Sequence, residues 1–207
     1  MTRSPSLDAA YALQSPDDNR ALYRDWAETY DASFAQSMDY QLPQMVATAF
    51  HAEGGTGPVL DIGAGTGLAA DALRALGDYE VDALDLSAEM LAVARRKGLY
   101  QGYIEADLTK TLPLEPRYNG LISSGTFTHG HVGPDVLDGL LDAALPGALC
   151  VLSVNAEHFA ARGFAAKFDA LAPRITGFEV RTVDIYGASA DSNHAHDKGY
   201  IAVFRAL

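Results

Sequence analysis

The feature that most constrains the fold is an apolar run that ends in an acid and is followed by three glycines at alternate positions. It spans Val59–Gly67 and reads VLDIGAGTG. Residues without a Cβ let the backbone turn tightly at the end of a strand and approach a ligand closely. A helical pattern follows, and the start of a helix presents unpaired N–H groups and partial positive charge. The segment is typical of a loop that holds a nucleotide-like cofactor.

The spacing of the glycines and the acids near them indicate which cofactor is bound. The pattern is G-x-G-x-G, with Leu68 where a dinucleotide-binding loop has its third glycine, and it lacks the Lys-Ser or Lys-Thr pair of a P-loop. The Asp61 carboxylate would repel a pyrophosphate, but it suits a cofactor that carries an ammonium and a sulfonium group. Asp85 ends the next apolar run and can accept hydrogen bonds from ribose hydroxyls, while Asp107 is placed to receive the adenine amino group.

Four motifs that follow one another along the chain resemble those of the class I S-adenosylmethionine-dependent methyltransferases. They are Asp61–Gly67, Asp85–Leu91, Ala106–Leu108 and Leu145–Leu149, within a resemblance that covers roughly residues 20–207. Arg24–Asp31 and Lys97–Tyr100 resemble a narrower group, the small methyltransferase-like proteins that include the Williams–Beuren-region one. The resemblance implies S-adenosylmethionine as the cofactor and S-adenosylhomocysteine as its product.

Strand-like and helix-like patterns alternate after residue 58, which argues for an α/β fold with a parallel sheet. The resemblance implies a Rossmann-like, doubly wound sheet of seven strands in the order 3-2-1-4-5-7-6, with the last strand antiparallel. We expect a single methyltransferase domain over residues 1–207, with an N-terminal helical cap or lid at 1–53 and a core at 58–207. The predicted strands are 58–62, 80–85, 103–105, 120–123, 149–154, 178–186 and 199–205, and the predicted helices are 66–76, 88–96, 136–144 and 157–171.

Two amphipathic patterns predict helices in the N-terminal cap. After a loose arm or short helix over the first 14 residues, Ser15 is the expected N-cap of a helix with Pro16 in its first turn. One aromatic face then combines Leu22, Tyr23, Trp26 and Tyr30, and a second apolar face combines Leu42, Met45, Val46, Ala49 and Phe50. We expect the aromatic face to cover the cofactor and to form a wall for the substrate.

The resemblance assigns the cofactor half of the site to residues at the ends of the predicted strands. The candidate cofactor-binding residues are Asp61, Gly63, Ala64, Gly65, Thr66, Gly67, Asp85, Leu86, Met90, Ala106, Asp107, Leu108, Ser123 and Ser124. The candidate lid and substrate residues are Tyr23, Trp26, Tyr30, His131 and His194. For these acids and aromatic residues, the alternative is an ordinary solvated strand end or packing of a helix on the sheet.

Histidine is the natural general base near neutral pH, and several histidines follow the predicted strands. His129 occupies the place where relatives often carry a histidine after the fourth strand, so it is the first candidate for the base, with Tyr30 as a second catalytic candidate. The His-x-His pairs lack a carboxylate or cysteine at a matching offset, so we expect no metal site. The segment Ser124–Phe127 stands where enzymes that methylate DNA bases or glutamine carry an Asn/Asp-Pro-Pro-Tyr element. We therefore do not expect DNA bases or glutamine to be the methyl acceptors of this chain.

Charge and composition limit the partners further. The formal net charge is −12, whereas a nucleic-acid binder needs a basic surface to neutralise phosphates. Neither a membrane span nor the hydrophobic core of a signal peptide stands out, and the lone Cys150 lies in a predicted buried strand, so we expect a cytoplasmic protein. The sequence does not indicate an oligomeric state.

Taken together, the sequence predicts methyl transfer from S-adenosylmethionine to the oxygen, sulfur or nitrogen of a small molecule. Because no catalytic base is certain from the pattern, a non-catalytic sensor protein that binds S-adenosylmethionine or S-adenosylhomocysteine is the main alternative. An NAD-dependent oxidoreductase is a lesser alternative, since its fingerprint differs from the glycine pattern by one position.

Overall fold

The apolar runs of the sequence become the strands of one seven-stranded sheet. The computed structural model describes residues 6, 9–10, 13, 15–112, 114–188, 190 and 194–207, so the expected loose arm or short helix at the start falls largely outside the described residues. The strands are β1 Val59–Ile62, β2 Val81–Asp85, β3 Gly102–Glu105, β4 Tyr118–Phe127, β5 Ala144–Asn155, β6 Ile175–Asp184 and β7 Lys198–Ala206.

Helices separate most of these strands and precede the first of them. The α-helices are α1 Pro16–Trp26, α2 Leu42–Ala52, α3 Leu68–Arg74, α4 Ala88–Lys97, α5 Leu137–Asp142, α6 Ala156–Arg162 and α7 Phe164–Ala170. A π-helix, Asp31–Gln36, follows α1, and a 3₁₀-helix, Pro134–Val136, leads into α5. None of the helices in the described part of the chain is long and apolar enough to cross a membrane.

The sheet has the order β3-β2-β1-β4-β5-β7-β6, which confirms the predicted order. Strands β1 to β5 pair in parallel, and β7 lies antiparallel between β5 and β6, as predicted. Ile62 pairs with Leu84 of β2, and Asp61 pairs with Ile122 of β4. The carboxyl ends of β1, β2 and β4 therefore meet at one edge of the sheet, where ligands bind in open α/β folds.

The helix starts that the sequence predicted for α1 and α4 are confirmed. The Ser15 side chain accepts a hydrogen bond from the Asp18 amide, and Pro16 stands in the first turn of α1. The Ser87 side chain accepts one from the Met90 amide at 3.2 Å and begins α4. Each side chain satisfies one of the backbone donors that the first turn of a helix leaves unpaired.

Several predicted elements had the wrong boundaries; the fifth strand, for example, begins at Ala144 and not at 149. The predicted helix 157–171 is two helices, because Gly163 adopts a left-handed backbone with φ of +75° and separates α6 from α7. The fourth strand runs to Phe127 instead of ending at 123, because a register shift after Ser123 restores pairing between Phe127 and Val154 of β5. This extension carries β4 past the edge of the sheet and beside the candidate site.

The core lies on both faces of the sheet. On one face, α2 rests directly on β4: a Cβ built on Gly120 would lie 2.4 Å from the fully buried ring of Phe50. On the other face, the ring of Phe164 in α7 meets Phe127 edge-on at 5.9 Å between centroids. Burial of these large side chains stabilises the sheet by roughly 2–3 kcal/mol each and fixes the strand ends on which the site is built.

Candidate active site

A cavity opens at the carboxyl ends of β1, β2 and β4, and its space amounts to about 1170 Å³ including the part open to solvent. Most of the residues predicted for the site line this cavity, although they come from segments far apart in the chain. They are Tyr23, Tyr30, Asp61, Gly63, Ala64, Gly65, Thr66, Asp85, Leu86, Met90, Ala106, Asp107, Leu108, Ser124 and His131. We call this space the main cavity.

Gly67 and Ser123, two predicted cofactor residues, lie beside the main cavity and not on its wall. Gly67 has φ of +94° at the start of α3, and a Cβ there would lie 2.8 Å from the side chain of Leu99. Ser123 is fully buried and donates a 2.8 Å hydrogen bond to the carbonyl of Ile62. Both residues thus support the wall of the main cavity without lining it. Gly67 does so through the backbone turn, and Ser123 does so by joining β4 to β1.

The structure does not place His129 and His194 on the main cavity, although the sequence put both at this edge. Nε2 of His129 lies 3.5 Å from the Glu157 carboxylate, and its ring is 5.8 Å from that of His158. His194 pairs with Asp197 at 3.1 Å. The turn at Gly130 explains the difference for the first histidine, because it directs position 131, not position 129, toward the cavity.

Trp26 also lies outside the main cavity. It is 3 % exposed, and its indole N–H donates a 3.0 Å hydrogen bond to the Ser33 hydroxyl. It lines a second cavity and stacks on Tyr23 at 6.0 Å between ring centroids. Trp26 is therefore surrounded by packed side chains, which agrees with the alternative, stated above, that it packs a helix on the sheet.

Backbone conformation and close packing require the glycines of the loop after β1. Gly63 has φ of +67°, and a Cβ there would fall 1.9 Å from Oγ1 of Thr126. Gly65 has φ of +54° and lines the main cavity, and no atom lies within 4 Å of the point where its Cβ would stand. A left-handed backbone is strained for residues with a Cβ, so glycine is needed at both positions.

Asp61 is a fully buried acid on β1 with one satisfied and one unsatisfied oxygen. Its Oδ2 accepts a 2.7 Å hydrogen bond from the Tyr100 hydroxyl, and its Oδ1 is buried without a hydrogen-bond partner among the described residues. Burial raises the pKa of Asp61 to about 7, the Tyr100 hydrogen bond lowers it in part, and the Asp85 charge raises it further. The site thus presents a carboxyl that a cationic ligand group would ionise and satisfy.

Asp85, at the end of β2, is tied to the glycine loop. One carboxylate oxygen accepts from the Gly65 amide at 2.8 Å, and the other accepts from the Ser87 amide at 2.8 Å. Burial raises the pKa of Asp85, and these backbone hydrogen bonds oppose the shift. A carboxylate has about four lone-pair positions, so these backbone hydrogen bonds leave it able to accept a further donor such as a hydroxyl.

Asp107 and a set of apolar side chains form the far end of the main cavity. Burial alone would raise the pKa of Asp107, but hydrogen bonds from Thr109 and Lys110 outweigh it and lower the pKa. The carboxylate accepts from the Thr109 amide at 2.9 Å and from its hydroxyl at 2.6 Å. The apolar walls here are Leu86, Met90, Ala106 and Leu108. A flat ring with an amino group matches this combination.

The N-terminal cap is attached to the glycine loop and to α4 by charged groups. Asp31 accepts from the Thr66 hydroxyl and from Lys97 Nζ, each at 2.5 Å. Arg96 contacts both carboxylate oxygens of Glu28, at 2.8 and 2.7 Å. These contacts attach the segment between α1 and α2 to the glycine loop and to α4, beside the main cavity that Tyr30 lines.

Two lining residues, one within β4 and one after it, carry polar atoms without a partner in the described structure. These are Oγ of Ser124 and Nε2 of His131, both buried. Buried polar atoms are nearly always hydrogen-bonded in folded proteins, so these two atoms are positions at which water or a bound molecule would supply the partner. Metal ligation does not account for them, since no group of three His, Cys, Asp or Glu side chains in the described part of the chain is arranged for an ion.

Several lining residues were not predicted from the sequence. They are Ser15, Asn19, Tyr40, Pro43, Leu68, Ala69, Leu84, Thr109, Gly125, Thr126, Gly130 and Val132. Gly125 and Thr126 stand next to the predicted Ser124, and the Ser-Gly-Thr sequence after an apolar strand was the available signal. Tyr40 had no such signal, because it reaches the site through an isolated bridge with Tyr186, a residue far away in the chain.

Comparison with known proteins shows which families and structures this chain is similar to. The family described as "Methyltransferase domain" matches residues 59–146, which include β1 to β4 and the glycine loop. Human methyltransferase-like protein 27 is 29% identical over 154 residues, which are 71% of this chain and 62% of the human protein. The chain thus spans less than two thirds of that relative, and the match agrees with the resemblance to small methyltransferase-like proteins.

Solved structures show the same fold at low sequence identity. The structure of a complex of DhpI with SAH has a TM-score of 0.65 at 22% identity, covering 92% of this chain and 96% of that one. The Burkholderia thailandensis 1,6-didemethyltoxoflavin-N1-methyltransferase, bound to 1,6-didemethyltoxoflavin and S-adenosylhomocysteine, has a TM-score of 0.60 at 18% identity. That match covers 94% of this chain and 92% of the other.

Proposed function

We propose that the chain is a class I S-adenosylmethionine-dependent methyltransferase that transfers the methyl group of S-adenosylmethionine to a small-molecule acceptor. The match of residues 59–146 to the family described as "Methyltransferase domain" and the similarity to human methyltransferase-like protein 27 support this proposal. The observation that carries the proposal is the unsatisfied Oδ1 of buried Asp61, on the wall of a cavity that also contains Asp85 and Asp107. Three acids on one cavity suit a cofactor with an amino group, a ribose and an adenine.

The residues present fit S-adenosylmethionine. Asp61 would hold the amino group, Asp85 the ribose hydroxyls and Asp107 the adenine amino group, between the apolar walls of Leu86 and Met90. Gly63, Ala64 and Gly65 would line the methionine portion. The bound cofactor supplies an activated methyl group on a sulfonium, and the chain must align the acceptor and exclude water. The cap over the main cavity, attached through Asp31 and Lys97, would perform the second task.

Two features of the chain support a small acceptor. The net charge of −12 is unfavourable for a polyanion such as a nucleic acid. Tyr23 and Tyr30 of the cap also line the main cavity together with residues that follow β4, so an acceptor in this cavity has to fit between the cap and the sheet. The Burkholderia thailandensis protein, which shares the fold, is named as a methyltransferase of 1,6-didemethyltoxoflavin. We propose an acceptor of comparable size for this chain.

Calorimetry with S-adenosylhomocysteine tests the cofactor half of the proposal. We expect a dissociation constant in the micromolar range, about −8 kcal/mol, or tighter. A lack of heat at millimolar ligand would contradict it. Saturable binding of NADH would instead favour the oxidoreductase alternative, which the family match does not support.

A methylation screen separates an enzyme from a sensor. Phenols, thiols, amines and carboxylates are incubated with the cofactor, and product is followed over many turnovers. Steady product from any acceptor supports the enzyme, whereas tight cofactor binding without turnover would support the sensor. We also propose a cytoplasmic location, which a fractionation experiment on the source cells would test.

A further inference from the structure

A second cavity adjoins the main cavity beneath the N-terminal cap, and none of its described lining residues carries a charge. Its space amounts to about 490 Å³ including the part open to solvent. Its walls are Ala10, Tyr23, Trp26, Tyr30, Phe34, Tyr40, Leu42, Gly125, Phe127, Thr128, Ser153, Asn155, Ile185 and Tyr186. We call it the aromatic chamber. Tyr23, Tyr30, Tyr40 and Gly125 line both spaces, so the two cavities meet at these residues.

His131 stands at this junction. Its ring meets Tyr23 edge-on, at 5.5 Å between centroids and 70° between planes. The imidazole has a hydrogen bond with the backbone of Thr126, while Nε2 is buried without a partner among the described residues. The Thr126 bond is therefore made through Nδ1, and the free lone pair is on Nε2 in the neutral ring.

The surroundings keep this ring neutral. Burial lowers the pKa of His131 to about 4, the neighbouring His158 and His129 lower it further, and the Thr126 hydrogen bond opposes the shift. A neutral imidazole with a bare nitrogen accepts a hydrogen bond, so the molecule that satisfies it must present a donor hydrogen.

The walls of the aromatic chamber indicate what the rest of the acceptor molecule looks like. Its aromatic walls offer faces and edges against which a flat ring packs. A carboxylate, phosphate or ammonium would enter without a counter-charge, which is costly in a buried space. An uncharged ring with a hydroxyl group satisfies both the walls and Nε2 of His131.

We propose that the methyl acceptor is an uncharged aromatic alcohol, whose ring lies against Tyr23, Tyr30 and Tyr40 and whose hydroxyl proton is taken by His131. The inference rests on the methyl transfer proposed above. The acceptor oxygen forms a bond to the methyl carbon as the carbon–sulfur bond breaks with its electron pair left on sulfur. As the methyl–oxygen bond forms, the oxygen gains positive charge and its proton becomes acidic enough to move to the weakly basic Nε2. The proton is later released to water, so the products are the methyl ether, S-adenosylhomocysteine and a proton.

The other two candidates for the proton acceptor are less suitable. Burial and the nearby Tyr23, Tyr40, Asp31 and Asp85 raise the pKa of Tyr30, so it remains a neutral phenol that can donate but not take the proton. His129 lines neither cavity. The structure thus moves the role that the sequence gave to position 129 to position 131.

The test compares acceptors that do and do not need a base. Methyl transfer to phenol, 2-naphthol and 4-nitrophenol is measured at pH 8 for the wild type, His131→Gln and the matched control His129→Gln. Phenol and 2-naphthol are un-ionised at this pH, whereas 4-nitrophenol has largely lost its proton. All rates are compared as kcat at saturating acceptor, so that a weaker affinity for the anion does not affect the comparison. We expect His131→Gln to lower kcat for the first two by about 100-fold or more, and for 4-nitrophenol by less than about 5-fold. His129→Gln should change none of the rates by more than about 3-fold.

S-adenosylhomocysteine affinity shows whether each variant is folded and separates the two proposals. A similar loss of rate for all three acceptors, or no loss, would overturn the role of His131. Turnover of none of them by a wild type that binds S-adenosylhomocysteine would overturn the acceptor class and leave the proposed function intact. Lack of that binding would overturn the proposed function itself. Should His131→Gln fail to fold, His131→Asn serves in the same comparison.

Discussion

The Tyr100 hydroxyl donates a 2.7 Å hydrogen bond to one carboxylate oxygen of Asp61, and the other oxygen is left buried and unsatisfied. Tyr100 lies just before β3 and Asp61 within β1, so the contact joins two of the motifs that carry the family resemblance. The tyrosine fixes the carboxyl group, while burial holds its pKa near 7. Because of this free oxygen and the raised pKa, we expect Asp61 to be the most specific of the proposed cofactor contacts in the main cavity.

The affinity for S-adenosylhomocysteine should rise with pH. Because the pKa of Asp61 is about 7 in the free protein, the group is mostly protonated at pH 6, and the ligand's ammonium has to displace that proton. We expect affinity to increase roughly tenfold between pH 6 and pH 7.5, as one ionisation near pH 7 requires. Calorimetry over this range measures it. Asp61→Asn is the control, and its weaker binding should be nearly independent of pH; an equal slope in that variant would remove Asp61 from the site.

Replacing Asp85 by alanine should weaken S-adenosylhomocysteine binding by about 1–3 kcal/mol, because a charge-assisted hydrogen bond to ribose is lost. Part of the loss reflects the Gly65 amide, which donates a hydrogen bond to Asp85 in the wild type and loses that partner in the variant. Asp71→Ala, an exposed acid on α3, is the control for the change in charge. Calorimetry measures the S-adenosylhomocysteine affinity of both variants. An affinity unchanged by Asp85→Ala would contradict the assignment of Asp85 to the ribose.

The order of the sheet and the grouping of the three acids at one edge were predictable because both depend on local patterns. Strand ends are marked by an acid after an apolar run, and parallel strands bring those ends to one edge. Thus Asp61, Asp85 and Asp107 line one cavity as expected. The helix at 157–171 was wrong because a single glycine, Gly163, is compatible with a helical pattern and yet breaks it.

The acceptor side was harder to predict because it depends on contacts between distant segments. Tyr40 reaches the site through its bridge with Tyr186, and Leu13 packs where a Cβ on Gly130 would lie. The turn at Gly130 then decides which histidine faces the cavity. No periodic pattern in the sequence reports such a turn, so His131 was predicted as a substrate residue only, and the base was assigned to its neighbour.

Gly63→Ala should destabilise the protein much more than Gly147→Ala does. Both glycines have positive φ, at +67° and +83°, but a Cβ at 63 would lie 1.9 Å from Thr126 whereas the space at 147 is open. We expect a cost of about 1 kcal/mol at 147, from backbone conformation alone, and roughly 3 kcal/mol or more at 63. Urea denaturation gives both values. Equal costs would show that the Thr126 contact does not constrain the loop.

Cofactor binding should protect the cap from hydrogen exchange. Residues 15–36 contact the glycine loop through Asp31 and Thr66, and contact α4 through Lys97. We expect their amides to exchange more slowly in the S-adenosylhomocysteine complex, since a lid opens less often over a filled site. Mass spectrometry measures the exchange.

Lys97→Ala should reduce this extra protection and weaken binding by about 1 kcal/mol, because its ion pair with Asp31 is partly buried. Arg74→Ala removes an exposed pair within α3 and serves as the control. Protection of residues 15–36 that is the same with and without ligand would contradict the lid.

A structure of the complex with S-adenosylhomocysteine tests the central claim most directly. The account predicts that the ligand's amino group lies within hydrogen-bond distance of Oδ1 of Asp61, with its ribose on Asp85 and its adenine beside Asp107. It also predicts that the sulfur faces the junction at Tyr23 and His131. Density for the ligand outside the main cavity, or with its amino group away from Asp61, would contradict it.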